Sequence, residues 1–190
     1  ATLQPVFELM VGLSEGRDDV LPPAAGSELL MSFRANTRQR LLDIKQRLSQ
    51  SLSEQDAYLF LFPLVVHIDE LVQSRDTGPQ ATWALLQSEL YGTEHGGELF
   101  FEALNECLDS SGIQPAILDT FLFCLRLGFR GKLVGDEAGA GDYIKRLTDR
   151  IHARPLPQEP EAPEEVGLIR STIPAGWYYL AALIAVIAMW

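Results

Sequence analysis

At 190 residues the chain suits one compact domain with appendages, since domains mostly run to about 100–150 residues. A composition that is 47% hydrophobic and 22% charged excludes disorder throughout. The formal net charge of -11 argues against nucleic acid as a partner, and suits either a basic protein partner or simple solubility.

The opening ATLQPVFELMVGLSEG has a short apolar stretch with no basic residue before it, so it does not read as a secretory signal. A folded domain is expected over residues 1–153, with helical periodicity from Pro5 to Ala153. After the breaker PPAAG, Ser27 is a plausible N-cap for a long helix. Leu30, Phe33, Thr37, Leu41, Ile44 and Leu48 then step by three or four and form one apolar stripe. A second helix is predicted from Glu54 to Ser74, kinked at Pro63. A third covers Ala81 to Tyr91 and presents Trp83, Leu86 and Leu90.

Gly96-Gly97 breaks the chain before a helix from Glu98 to Leu108, with Leu99, Phe100, Ala103, Leu104 and Cys107 inward. Phe100 and Phe101 are adjacent, about 100° apart on a helix, so both are buried only if that helix packs on two sides. Pro115 starts the next helix, Ala116 to Leu127, which is apolar nearly all round and therefore belongs at the centre of a bundle. Gly128 ends it. The Gly-rich GDEAGAG leads to Asp142 as the N-cap of a last helix carrying Tyr143, Ile144, Leu147 and Ile151. No run alternates with the two-residue period of a strand, so the fold class is all-α. Cys107 and Cys124 sit in apolar runs and read as small buried hydrophobes in a reducing compartment.

The stretch from Arg154 to Pro174 holds five prolines and four glutamates, and is expected to be an extended tether. From Ala175 to Trp190 there is no charged or strongly polar residue. These 16 positions reach about 24 Å as a helix, short of the roughly 30 Å hydrocarbon core, and read as a membrane span truncated at Trp190. Trp177, Tyr178 and Tyr179 form the interfacial belt. Leu180, Leu183, Ile184, Val186, Ile187 and Trp190 supply the lipid-facing apolar surface. Lys145, Arg146, Arg150, Arg154 and Arg170 lie upstream, so the positive-inside bias puts the N-terminal side in the cytoplasm.

Signatures of catalysis are missing: there is no G-x-S-x-G, no H-E-x-x-H and no Cys/His zinc spacing. Gly131-Lys132 faintly resembles a phosphate loop, but Leu133 stands where a Ser or Thr is needed. His67 and Glu70 are three apart and begin a possible metal site, yet the remaining histidines, His95 and His152, do not complete one. The alternatives for Asp69 and Glu70 are an exposed docking patch, hydrogen bonds to the backbone of a neighbouring turn, or pairing with Arg130. Leu127 to Lys132 places an aromatic and two cations in a glycine-framed turn, either a connector or an ordered surface loop for a partner.

Four pieces occur in an ordered set: FLFPLVVHIDELV, Trp83 with its following leucines, GGELFFEAL and LGFRGKL. Followed by the Pro/Glu tether and the apolar segment, they make the chain resemble the DotU/IcmH/TssL family of secretion-system membrane proteins. That resemblance implies a cytoplasmic hook of two small helical bundles with a cleft, and a C-terminal single-pass anchor in the bacterial inner membrane. It further implies a non-enzymatic scaffold without cofactor in a type VI system, or a stabilising component of a type IVB system. The implied partners are a TssM/IcmF-like inner-membrane protein, baseplate subunits, membrane lipid and further copies of the chain; some relatives add a peptidoglycan-binding domain. Asp69, Glu70, Glu98, Phe129 and Arg130 are the candidate partner-binding residues. A helical metalloenzyme and a tail-anchored adaptor outside secretion are the competing readings.

Overall fold

The computed structural model describes residues 4–22, 26–75 and 82–153. The chain divides into two compact units, Ala1–Arg154 and Pro155–Trp190, and all described residues belong to the first. The tether at 154–174 and the apolar segment at 175–190 lie outside the described residues. Among the described residues, no helix is long and apolar enough to cross a membrane.

The described residues are helical and contain no strand: α1 (Gln4–Ser14), α2 (Gly26–Leu48), α3 (Glu54–Gln73), α4 (Leu86–Tyr91), α5 (Gly96–Asp109), α6 (Pro115–Arg126) and α7 (Glu137–His152), with a 3-10 turn at Gly131–Leu133. The centre is α3, in which every residue from Leu59 to Asp69 is buried. It packs against α6, α5, α4, α2 and α1. The Ser53 hydroxyl starts it by accepting from the Asp56 N–H at 3.0 Å. The helix runs on through Pro63, whose ring adds apolar surface at the point where a hydrogen-bond donor is lost. The helix expected at the centre, α6, lies directly against α3 and has Pro115 in its first turn.

Helical periodicity from Pro5 holds at its start, and two helix boundaries are corrected. The opening apolar stretch is itself a helix: Val6, Leu9, Met10 and Leu13 of α1 enter the core, and Phe7 packs on Phe123 at 4.7 Å between ring centroids. The third helix begins at Leu86 rather than Ala81, because the Trp83 indole turns back to α3 and holds residues 82–85 out of the helix. The last helix begins at Glu137, not at Asp142. Asp136 caps it by accepting from the Gly139 N–H at 2.9 Å, and a Cβ on Gly139 would lie 2.4 Å from that carboxylate. Glycine here admits the cap rather than breaking the helix.

Candidate docking site

Asp69 and Glu70 are consecutive near the end of α3, so their side chains leave the helix about 100° apart. Each therefore reaches a different segment. Asp69, only 1% exposed, accepts at Oδ1 from the Trp83 indole N–H (2.7 Å) and the Leu86 N–H (2.9 Å). Its Oδ2 accepts from the Gln87 N–H at 2.9 Å. One carboxylate thus satisfies the first donors of α4 and fixes the segment before it. Burial raises the Asp69 carboxyl above the usual carboxylate range, against the pull of those three donors and of Arg34.

Arg34 strengthens the same junction from α2. Its Nε donates to the Ala84 carbonyl at 2.6 Å, and its Nη2 meets Glu89 at 2.8 Å. Arg38 donates to the other Glu89 oxygen. The Arg38 and Arg34 hydrogen bonds hold the Glu89 carboxyl below its ordinary value.

Glu70 points to the LGFRGKL turn. Its Oε1 accepts from the Arg130 N–H at 2.9 Å and its Oε2 from the Gly131 N–H at 2.7 Å. The partner is thus the backbone of residue 130. The Arg130 guanidinium turns away and grips Glu137, with Nη2 to Oε2 at 2.8 Å and Nε within 3.2 Å of both oxygens. It also donates to the Phe129 carbonyl at 3.1 Å. That grip lowers the Glu137 carboxyl and joins the turn to the start of α7.

Two glycines close the site from the α5 side. Gly131 sits at φ 48°, and a Cβ there would lie 2.8 Å from the Gly97 carbonyl oxygen. A Cβ on Gly97 would stand 3.1 Å from the Gly131 Cα. The GGELFF and GFRGKL pieces therefore meet backbone to backbone. Phe129 is fully buried beneath this contact, 4.2 Å from Phe100 and 5.4 Å from His67 between ring centroids. Phe100 and Phe101 are both fully buried, as two-sided packing of α5 requires.

His67 has no exposure and neither ring nitrogen has a protein partner. Burial first, and the Arg130 charge second, lower its pKa to about 3, so it is neutral near pH 7. His67 and Glu70 do not begin a metal site, because both Glu70 oxygens are taken by backbone donors. Among the described residues, no three His, Cys, Asp or Glu side chains are placed to share a metal. Burial raises the thiols of Cys107, to about 11, and of Cys124.

Of the five candidate residues, Asp69 and Phe129 are buried, Glu70 and Arg130 are half-buried and Glu98 is exposed. The structure gathers Glu70, Phe129 and Arg130 at one junction, with Glu98 beside its Gly97–Gly131 contact; Asp69 serves the opposite junction. Sequence reasoning missed the Asp69–Trp83 bond and the role of Glu137. The signal for the first is general, since a buried indole N–H needs an acceptor.

Each short polar or glycine motif of the ordered set has a place in these two junctions. Over residues 1–190 the chain matches the family described as "Type VI secretion system protein DotU". It belongs to the DotU family. DotU from Francisella novicida has a similar fold, with a TM-score of 0.66 at 22% identity, over 78% of this chain and 99% of that one. SciP/TssL from the type VI system of enteroaggregative Escherichia coli 042 gives 0.65 at 24% identity, over 83% of this chain and 90% of that one. No curated protein matches this chain in sequence. Membership of the DotU family makes the chain a type VI secretion component, and the two neighbours share its all-helical fold.

Proposed function

We propose that this DotU-family chain is a non-enzymatic inner-membrane scaffold of a type VI secretion system. Its helical domain would lie in the cytoplasm, docking baseplate components and a TssM/IcmF-like protein. The tether at 154–174 would give reach. The apolar segment with Trp177, Tyr178 and Tyr179 at its head would insert in the membrane and favour self-association. The hook of two small bundles with a cleft belongs to this reading. The family description names type VI rather than type IVB secretion.

One observation carries the docking part: the GFRGKL turn is immobilised at the surface from three sides, by Glu70, by Glu137 and by Gly97. A surface loop held this firmly loses little freedom on binding. Glu98 and Arg130 are the side chains placed to touch a partner. Val134, 78% exposed just beyond the turn, adds an apolar contact. Asp69, Glu70 and Phe129 contribute by holding the surface in shape.

The test is affinity capture of the full chain from its native membranes, comparing Glu98→Lys and Val134→Glu with the parent. Both positions are exposed, so circular dichroism should be unchanged. Recovery of a TssM-like protein and baseplate subunits, with about tenfold less baseplate subunit on either variant, supports the reading. Recovery of neither class from cells making the secretion system defeats it.

A further inference from the structure

A cavity of about 400 Å³ opens between α1 and α2, both of which pack on α3. That volume is in the range of small-molecule sites. Leu9 of α1, Val20 of the following loop and Phe33 of α2 give it apolar walls. The loop wall is built in advance. Arg75, just beyond α3, donates to the Leu13 carbonyl at 3.1 Å and to the Leu21 carbonyl, one at each side of the loop. The Arg17 N–H donates to the Gly12 carbonyl at 2.9 Å. A Cβ on Gly12 would lie 2.5 Å from the Val20 Cγ2 and 3.0 Å from the Arg17 Nε. The loop therefore lies directly on α1 at a glycine, and this contact brings Arg17 and Val20 to the cavity.

Phe33, Thr37 and Arg40 step by four and three along α2, so one helix face contributes a ring, a hydroxyl and a guanidinium to the cavity. Of the charged side chains in the lining, three are already engaged. Glu8 accepts from Gln4 at 3.0 Å, and Asp19 pairs with Arg17 at 3.4 Å. Arg40 makes no ion pair or hydrogen bond among the described residues. Thr37 is 2% exposed, and its hydroxyl has no protein partner. Thr120 and Thr148, also on helices, donate to the carbonyls four residues back, at 2.8 and 2.7 Å. Thr37 does not spend its hydroxyl in this way. A buried hydroxyl left unpaired is disfavoured unless something from outside the chain completes it. The groups left open here are thus a guanidinium and a hydroxyl, three residues apart, beside apolar walls.

We propose that this cavity binds a small organic carboxylate with an apolar body. Arg40 and Thr37 would take the carboxylate oxygens, and Leu9, Val20 and Phe33 would cover the body. Water alone would complete the hydroxyl but would wet the apolar walls, whereas an amphiphilic ligand suits both. Glu8 and Asp19 keep the local charge low, which favours a singly charged head over a doubly charged phosphate. The site involves other residues than the Glu70–Arg130 junction and stands independently of the docking reading.

The experiment irradiates the full chain, in phosphatidylcholine nanodiscs, with the photoreactive aromatic carboxylate 4-benzoylbenzoate and maps the adducts by mass spectrometry. Adducts are expected on Leu9, Val20 or Phe33. They should weaken about tenfold in Thr37→Val and in Arg40→Gln, and stay unchanged in Arg47→Gln, an exposed cation further along α2. Thr37→Val should melt no lower than the parent, since it removes an unpaired buried hydroxyl. Arg40→Gln alters an exposed side chain, so its loss of labelling reports binding rather than folding. As competitor, 4-phenylbutyrate should suppress the adducts. Neither 4-phenylbutanol, which has the body without the charge, nor acetate, which has the head without the body, should do so at equal concentration. Equal suppression by 4-phenylbutanol would reduce the site to an apolar hole, and equal suppression by acetate to a surface ion site; either overturns the proposal. Equal loss in Arg47→Gln would show general attraction to cations, and stronger competition by phenyl phosphate would overturn the carboxylate assignment. No adduct in the cavity at millimolar probe would leave it a water-filled cleft and end the proposal.

Discussion

At the residue scale, the acidic pair shows how position decides between binding and architecture. Two carboxylates side by side on a helix look from sequence like a docking patch, but here each accepts two or more donors from a different segment. For Asp69 this makes Asn a poor substitute, because an amide nitrogen would face the Gln87 N–H or another donor. Asp69→Asn should lower folding stability by about 1–3 kcal/mol, visible as a lower urea midpoint; an unchanged midpoint would show that the three bonds contribute little. His67 is a buried neutral group whose folded pKa is about 3, against an ordinary value of 6.5. Above pH 6.5 both states are neutral there and the residue gives no pH dependence. As pH falls below that value the unfolded chain takes a proton that the folded chain refuses until about 3. Stability is therefore lost on acidification by up to about 1.4 kcal/mol per pH unit from this residue. His67→Leu should flatten the stability profile between pH 6 and 4 relative to the parent, whatever its effect at pH 7. A parallel pair of profiles would contradict the depressed pKa.

At the element scale, the informative differences from expectation arise where a contact distant in sequence governs a helix boundary. A bond from α3 to the Trp83 indole holds residues 82–85 out of the helix and delays α4. Asp136, by contrast, extends α7 backwards through a Gly-rich stretch that local propensity reads as a linker. Asp136→Ala removes that cap and should cost about 1 kcal/mol, with faster amide exchange at Gly139 than in the parent. Exchange unchanged at Gly139 would mean that packing of α7 on α6, rather than the cap, sets where the helix begins. The glycines divide by function in the same way. Gly139 makes room for a carboxylate, whereas Gly97 and Gly131 make room for each other's backbone.

At the scale of the whole molecule, the central helix organises the described unit. Because α3 is buried from Leu59 to Asp69, its apolar residues bind the surrounding helices, and its terminal carboxylates fasten the loops at one end. Among the described residues, the surface ion pairs are those of Asp19, Glu89 and Glu137. The carboxylates with interior work are Asp69 and Glu70, while Glu98, Glu102, Glu106 and Asp109 of α5 face outward with no cation on their own helix. The DotU family match makes the chain a type VI secretion component, and the two helical neighbours share its fold.

The sequence by itself determined the helical class, the main stripes and the family. Apolar spacing of three or four is a local property, and the ordered motifs survive reading in one dimension. Leu30, Thr37, Leu41 and Ile44 of α2 are buried on the predicted stripe, and Pro115 opens α6 as its chemistry requires. What only tertiary structure decided was the use of each polar group. Asp69 and Glu70 have the same charge and adjacent positions, and sequence offers docking, backbone capping or pairing with Arg130 for both. Their direction off α3 chose the backbone, since unpaired amide donors at the start of α4 and in the 130–131 turn lie within reach and must be satisfied. Arg130 was left to close on Glu137.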